Sequence, residues 1–121
     1  MSVAASIQRA APESPGKLDQ LQAFGFTKEE IYTLVISRRT LARRKAAYAP
    51  LSVAETDRAL RLERIAEHAD RVFGSRDKAL RWLRSEIIAL DGARPIDLLQ
   101  TEAGGREVEQ ELHRIDYGML A

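Results

Sequence analysis

Several patterns that would indicate a particular class of protein are absent from this chain. Its 121 residues include no cysteine, which excludes disulfides, thiolate metal sites and cysteine nucleophiles. No apolar run is longer than the four residues 87–90, whereas a bilayer-spanning helix needs about 20. Residues 1–5 do not combine a charged start with an apolar stretch, so we expect no signal peptide and a cytoplasmic protein.

The polar residues form no pattern typical of a catalytic or metal-binding site. His68 and His113 are far apart in sequence, and no ligand spacing surrounds them. Gly104-Gly105 follows no predicted strand and precedes no Lys-Ser or Lys-Thr, so we expect it to permit close helix approach rather than phosphate binding. Trp82 lies on an apolar stripe and is predicted to pack in the core. The sequence therefore predicts no enzyme, no cofactor and no metal.

The most distinctive feature that is present is a basic segment, residues 37–45. It contains five basic residues and no acidic one. The chain as a whole has 19 Lys+Arg and 18 Asp+Glu, so the remainder carries 14 basic and 18 acidic residues, a net charge of −4. A dense basic patch on a mildly acidic body is typical of a helix that contacts DNA. A helix face that is merely solvated would have the same composition.

Capping signals and helical spacing of apolar residues predict a series of short helices around this segment. A first short helix begins at Leu18 and ends near Gly25. Thr27 and Glu30 have the spacing of a capping box before the next helix. Ser37 is predicted to cap the basic helix, with Leu41 pointing inward as its anchor.

The longest predicted helix starts at a second capping box, Ser52 and Glu55, and ends at Gly74. Its apolar residues recur at intervals of three and four, as one buried stripe requires. Further helices are predicted after Ser75, from Pro95, and from about residue 102 to 116, where Gly118 ends the last one. No segment alternates polar and apolar residues as a strand does. The sequence therefore predicts an all-α fold.

Together these segments resemble the Xre/MbcA/ParS-type antitoxins of bacterial type II toxin–antitoxin modules over residues 25–121. The resemblance lies in Ser37–Arg44, Leu51-Ser52, Glu55–Arg58, Arg61-Leu62, Val72–Gly74, Ala79–Leu83, Pro95–Leu99, Thr101–Gly104, Arg114-Ile115 and Tyr117-Gly118. One stretch departs from the family pattern, which usually has Pro-Asn before Ala-Leu and Gly-Gly. Here Glu86-Ile87-Ile88 precedes Ala89-Leu90 and Asp91-Gly92.

The resemblance implies an Xre-like helix-turn-helix module over residues 18–74 and a small helical toxin-binding domain over residues 75–121. Residues 1–17, rich in Ala, Ser and Pro, are expected to form a mobile tail. The family's usual partner is a RES-domain toxin that degrades NAD⁺. The resemblance thus implies a homodimeric antitoxin that covers the toxin's active site and represses its own operon by binding operator DNA.

Two groups of residues are expected to form the binding sites. The candidates for DNA contact are Ser37, Arg38, Arg39, Thr40, Arg43, Arg44 and Lys45. Arg39 and Arg43 should point almost opposite to Leu41, and Lys45 is expected to contact phosphate.

The candidates for toxin binding are Tyr117, Gly118, Met119, Leu120 and Ala121, an apolar segment after the expected helix end. The residues alone leave open whether this segment folds back on the core or enters a groove of a partner. The family resemblance favours the partner.

Two other functions remain compatible with the sequence. A free-standing helix-turn-helix transcription regulator would use its C-terminal half only for dimerisation. A small enzyme has the least support, because no catalytic site is apparent. A RES-type reading frame beside this one would distinguish an antitoxin from a free-standing regulator.

Overall fold

The computed structural model describes the backbone of residues 11–120 and the side chains of residues 11–118. Within them the chain forms helices and no strand, which confirms the all-α fold class. The helices are α1 (Lys17–Phe24), α2 (Lys28–Leu34), α3 (Arg38–Ala46), α4 (Val53–Phe73), α5 (Arg76–Leu83) and α6 (Glu102–Leu120), with 3₁₀ turns at Ile88–Leu90 and Pro95–Leu98 between the last two. None of the described helices is both long and apolar enough to cross a membrane.

Side-chain caps start four of these helices at the predicted positions. At α2, the Thr27 hydroxyl accepts from the backbone N–H of Glu30 at 3.1 Å, and the Glu30 carboxylate accepts from the Thr27 N–H at 2.9 Å. Ser52 and Glu55 form the same reciprocal pair at α4. Single side-chain caps start α3 and α5. Each cap contributes about 1 kcal/mol, so local sequence fixes where these helices begin.

Helix α4 is the central element of the fold. Its inward residues are buried at three- and four-residue spacing: Ala59, Leu62, Ile65, Ala66, Ala69 and Val72. Gly74 ends the helix with φ 67°, and its N–H donates to the Asp70 carbonyl at 2.8 Å. Because α1, α2, α5 and α6 all contact α4, the two halves of the chain share one core. Each buried Leu or Ile side chain contributes about 1.5–3 kcal/mol to that core.

The start of α6 is a close contact that only glycine permits. A Cβ on Gly104 would lie 1.9 Å from the backbone oxygen of Leu98, and one on Gly105 would lie 2.9 Å from Cδ of Arg61. The α6 backbone therefore packs directly against the second 3₁₀ turn and against α4. The expectation that this glycine pair permits close helix approach is confirmed.

Two arginines join the C-terminal elements to the N-terminal ones. The buried Arg61 of α4 pairs with the Glu102 carboxylate of α6 at 3.3 Å. Arg84, just after α5, forms two hydrogen bonds of 2.9 Å with the Glu30 carboxylate of α2. It also donates to the Gly25 carbonyl at 2.9 Å. These contacts define the position of α2 relative to α5.

The described part of the segment expected to be a mobile tail, residues 11–17, contacts α4. The backbone N–H of Glu13 donates to the Thr56 hydroxyl at 3.0 Å. Lys17 already belongs to α1, and its ammonium group lies 2.8 Å from the Glu63 carboxylate. Local composition could not predict these contacts, because both partners lie in α4. The first ten residues are outside the described part of the chain.

The last helix is longer than predicted. It continues through Gly118 to Leu120, so the expected helix end at Gly118 is wrong. Gly118 does not adopt the positive φ that a helix-ending glycine uses. A glycine within a helix costs only about 1 kcal/mol relative to alanine, which does not by itself stop the helix. Tyr117 is therefore part of a helical turn.

Replacing Gly104 tests the close contact at the start of α6. We expect Gly104→Ala to lower the free energy of unfolding by about 1–3 kcal/mol, because the new methyl group meets backbone rather than a movable side chain. Chemical denaturation followed by circular dichroism measures the loss. Gly118→Ala is the matched control: it meets no atom within 4 Å and should be stabilising by up to about 1 kcal/mol. Equal effects of the two changes would contradict the contact.

Candidate functional sites

Helices α2 and α3 form a helix-turn-helix, and buried residues and a hydrogen bond from α4 hold its turn in place. Val35 and Ile36, between the helices, are buried. From α4, Arg58 donates from Nε to the Val35 carbonyl at 2.9 Å. Ser37 then caps α3 by accepting from the Thr40 N–H at 3.1 Å, and the two hydroxyl oxygens lie 2.9 Å apart. Two of the predicted DNA-contacting hydroxyls thus bond to each other at the start of α3.

The outward face of α3 combines two arginines with two alanines. Leu41 packs half-buried against the core and sets the inward side of the helix. At about 100° per residue, Arg39 and Arg43 lie opposite Leu41. Ala42 and Ala46 lie beside them, and all four are exposed. Small side chains between long cationic ones allow the helix backbone to approach another surface closely.

Four of the five basic side chains in this segment are available to a ligand. Arg38, Arg39, Arg43 and Lys45 are exposed, and within the described residues none of them pairs with a carboxylate. The first turn of α3 contains no acidic residue. Its free backbone N–H groups therefore add to the positive potential of the side chains. This surface has the chemistry to bind phosphate groups.

Arg44 differs from these four because it is ion-paired inside the fold. Its Nε and Nη2 each lie 3.2 Å from a carboxylate oxygen of Glu55, the capping residue of α4. Burial alone would raise the pKa of Glu55, but hydrogen bonds from Arg44 and from the Ser52 backbone outweigh it and lower that pKa below its usual value. Arg44 therefore fastens the last turn of α3 to the start of α4.

The predicted toxin-binding residues 117–121 begin on the last turns of α6. Tyr117 is 78% exposed, whereas Ile115 still packs against the core. The Tyr117 side chain is therefore not packed against the core in this structure. The side chains of Met119, Leu120 and Ala121 lie outside the described residues.

The two histidines are neighbours across the contact between α4 and α6. Their ring centroids are 4.6 Å apart, at an interplanar angle of 56°. Burial, followed by the nearby charges of His113 and Arg71, lowers the pKa of His68. In the part of the chain that the structure describes, no three His, Asp or Glu side chains are placed to hold a metal ion. The histidine pair is a packing contact between two helices.

Sequence reasoning did not single out three residues that shape these surfaces. Arg58 holds the turn before α3, Arg84 joins α5 to α2, and Ile88 is 94% exposed. Arg58 lies in a stretch that carries the family resemblance, which was an available signal. Ile88 lies where the chain departs from the family pattern. Arg84 gave no local signal, because its partner is distant in sequence.

Comparison with known proteins identifies both halves of the chain. Residues 18–64 match the family model of the antitoxin Xre-like helix-turn-helix domain. Residues 68–118 match the model of the antitoxin Xre/MbcA/ParS C-terminal toxin-binding domain. The two matches meet inside α4, so this helix contributes to both. The predicted division into residues 18–74 and 75–121 stays a prediction.

Three relatives named "Antitoxin Xre" are similar to the chain over most of its length. The protein from Pseudomonas putida is 38% identical over 84 residues, 69% of this chain and 53% of the relative. The one from Photorhabdus laumondii is 30% identical over 107 residues, 86% and 72% respectively. The one from Yersinia enterocolitica is 31% identical over 87 residues, 71% and 59%. The chain thus spans about half to three quarters of the length of these relatives.

The lowered pKa of Glu55 predicts how acid affects stability. A carboxylate whose folded-state pKa is depressed contributes stability that is complete above its unfolded pKa, about 4.5, and is lost as the pH falls through the folded value. We therefore expect Glu55→Gln to lower the free energy of unfolding by about 1–3 kcal/mol at neutral pH. The difference in the free energy of unfolding from the unmodified protein should shrink as the pH falls below 4.5.

Urea denaturation at a series of pH values measures this difference. Glu107→Gln is the control, because Glu107 is exposed and makes no ion pair among the described residues. If Glu55→Gln lowered the free energy of unfolding by the same amount at every pH, the result would contradict a stabilising role of the Arg44–Glu55 pair.

Proposed function

The chain belongs to the Xre/MbcA/ParS family of antitoxins, and on that premise we propose that it neutralises a RES-domain, NAD⁺-degrading toxin and represses its own operon. The proposal rests on the observation that one small protein presents two exposed surfaces. One is the exposed basic face of α3, in the helix-turn-helix. The other is the exposed end of α6, in the domain whose family is described as toxin-binding. On this proposal both roles are binding roles, without catalysis by this chain.

In the proposed DNA complex, α3 lies in the major groove with its outward face against the bases. Arg39 and Arg43 point away from the core, and guanidinium groups suit bidentate contact with guanine. Ala42 and Ala46 leave room for the groove floor. Arg38 and Lys45, at the two ends of the helix, are assigned to phosphate contacts. Arg44 is already paired with Glu55. For Arg44 to contact the DNA backbone, it must share its guanidinium group between the two partners or give up the pair.

In the proposed toxin complex, the end of α6 blocks the cleft that the dinucleotide would occupy. Tyr117 is large, amphipathic and already exposed, so its burial in a partner requires no rearrangement of the antitoxin core. The residues after it, Gly118 to Ala121, complete the proposed contact. Inhibition on this view is occlusion of the toxin's active site.

A homodimer fits this proposal, because helix-turn-helix proteins read paired half-sites as two-fold symmetric dimers. The alternative of a free-standing transcription regulator has weaker support. It would leave without a role the domain at residues 68–118, whose family is described by its binding of a toxin. A RES-type gene next to this one would favour the antitoxin.

Removing the outward arginines should weaken DNA binding selectively. We expect Arg39→Ala combined with Arg43→Ala to reduce operator affinity, since each lost base contact costs about 1–3 kcal/mol and each lost phosphate contact lowers the salt slope by about one. Gel-shift titration at several salt concentrations, with the DNA upstream of the operon, measures both quantities. Toxin neutralisation should be unchanged.

The charge-matched control for that experiment is Lys78→Ala combined with Arg81→Ala, two exposed basic residues on α5. It removes the same charge outside the helix-turn-helix and should leave operator affinity nearly unchanged. Unchanged affinity and salt slope in the Arg39, Arg43 double variant would rule out α3 as the DNA-reading helix.

Removing the end of α6 should abolish or greatly weaken neutralisation. We expect deletion of residues 117–121 to fail in a growth-rescue assay with the toxin, while the melting temperature changes little because Tyr117 is exposed. Gln110→Ala is the control, since Gln110 is an exposed residue of the same helix outside the deleted segment. Full rescue by the truncated protein would move inhibition to other faces of α5 and α6. Loss of rescue with a collapsed melting temperature would show that the segment belongs to the core.

A further inference from the structure

We propose that the turn of residues 87–93 is a second docking point for the toxin, with Ile88 inserting into an apolar pocket of that partner. This inference rests on the proposed function, since it names a further contact of the same partner. Ile88 is 94% exposed, the most exposed aliphatic side chain among the large hydrophobic residues of the described chain. Single exposed apolar residues are common on protein surfaces, so exposure alone decides nothing.

The first supporting observation is the rigidity of the turn. Five backbone hydrogen bonds, all between 3.0 and 3.1 Å, connect residues 87–93 with one another. Asp91 and Gly92 adopt positive φ values of 58° and 81°, which suit Asp and Gly better than most residues. A backbone closed on itself in this way is already ordered before any partner binds. Binding through it therefore loses little conformational entropy.

The second observation is the fixed outward direction of Ile88. Its neighbour Ile87 packs against the core, and Leu90 is buried. These two residues anchor the turn on either side, so Ile88 cannot turn inward without breaking the core contact. An isoleucine also has few χ1 rotamers, because it is branched at Cβ. The fold thus holds an aliphatic side chain in water in nearly one orientation.

The third observation is the location of the turn. It lies within residues 68–118, the part of the chain that matches the toxin-binding domain. The Ile88–Leu90 turn also contacts α6, the helix that contains Tyr117. The turn therefore lies in the matched domain and beside the helix that carries Tyr117.

The charges around Ile88 select among possible partners. Glu86 and Asp91 flank it, and both are exposed. Two carboxylates would repel the phosphates of DNA. A two-fold contact between copies of this chain, centred on the turn, would bring the same carboxylates together. The geometry and charge fit a protein pocket that is apolar at its centre and basic at its rim.

The test measures toxin affinity by titration calorimetry with the purified protein encoded beside this gene. We expect Ile88→Ala to raise Kd about tenfold and Ile88→Asp about 100-fold, while Ile88→Val changes it at most about threefold. Tyr48→Asp is the matched control: Tyr48 is 97% exposed but lies after α3, outside the toxin-binding domain. It should bind the toxin like the unmodified antitoxin.

Two further measurements make the outcomes distinct. Operator affinity and the sedimentation coefficient of the antitoxin alone should be unchanged in Ile88→Asp. If Ile88→Asp bound the toxin with unchanged affinity, the proposal of a second docking point would be overturned, while the proposed function would stand. A selective loss of self-association or of DNA binding would overturn it in favour of a second copy or of nucleic acid. Failure of the unmodified antitoxin to bind the neighbouring protein would overturn both proposals.

Discussion

Burial of one face of α4 is the interaction on which the rest of this structure depends. Leu62 and Ile65 in the middle of that face are almost completely buried. The helix-turn-helix is joined to the first turns of α4 through Glu55 and Arg58, and α5 and α6 also pack against α4. A chain of this size buries too little apolar surface for two separate cores. Both proposed binding surfaces therefore rest on α4, and this helix sets their relative position.

Some arginines of this protein join one helix to another through ion pairs, and others are exposed without an ion pair among the described residues. Arg44, Arg61 and Arg84 each pair with a glutamate in the first turn of a helix: Glu55 of α4, Glu102 of α6 and Glu30 of α2. A carboxylate at that position already interacts favourably with the helix dipole and, in Glu30 and Glu55, completes a capping box. Each of these glutamates thus stabilises the start of its own helix and also binds an arginine from another part of the fold.

The exposed arginines of α3 have the opposite surroundings. Arg39 and Arg43 lie on a helix without acidic residues, and their neighbours on the outward face are alanines. Nothing in the described chain neutralises them. Whether an arginine joins two helices or stays exposed cannot be read from charge alone, because Arg43 and Arg44 are adjacent in the sequence and differ only in which side of α3 they occupy.

Features that depend on nearby residues could be predicted from the sequence. The caps at Thr27, Ser37, Ser52 and Ser75 and the helix end at Gly74 all involve groups a few residues apart. The position of Arg39 and Arg43 opposite Leu41 follows from helical geometry in the same way.

Features that depend on distant partners could not be predicted. Glu13 is held by Thr56, Arg44 by Glu55 across a turn, and His68 lies against His113. The helix end expected at Gly118 failed for a related reason. Glycine permits the left-handed conformation that ends a helix but does not impose it. The family resemblance supplied the division of labour between the halves, which no local signal contains.

The position of α4 across both family matches has a consequence for how such proteins diversify. An exchange of modules by recombination near residues 65–67 would join two half-helices whose buried stripes had adapted to different neighbours. Mismatched stripes leave cavities or overpacked side chains, each a loss of several kcal/mol in a small domain. Lineages of this architecture should therefore acquire new operators or new toxins chiefly by surface substitution, with the two specificities inherited together.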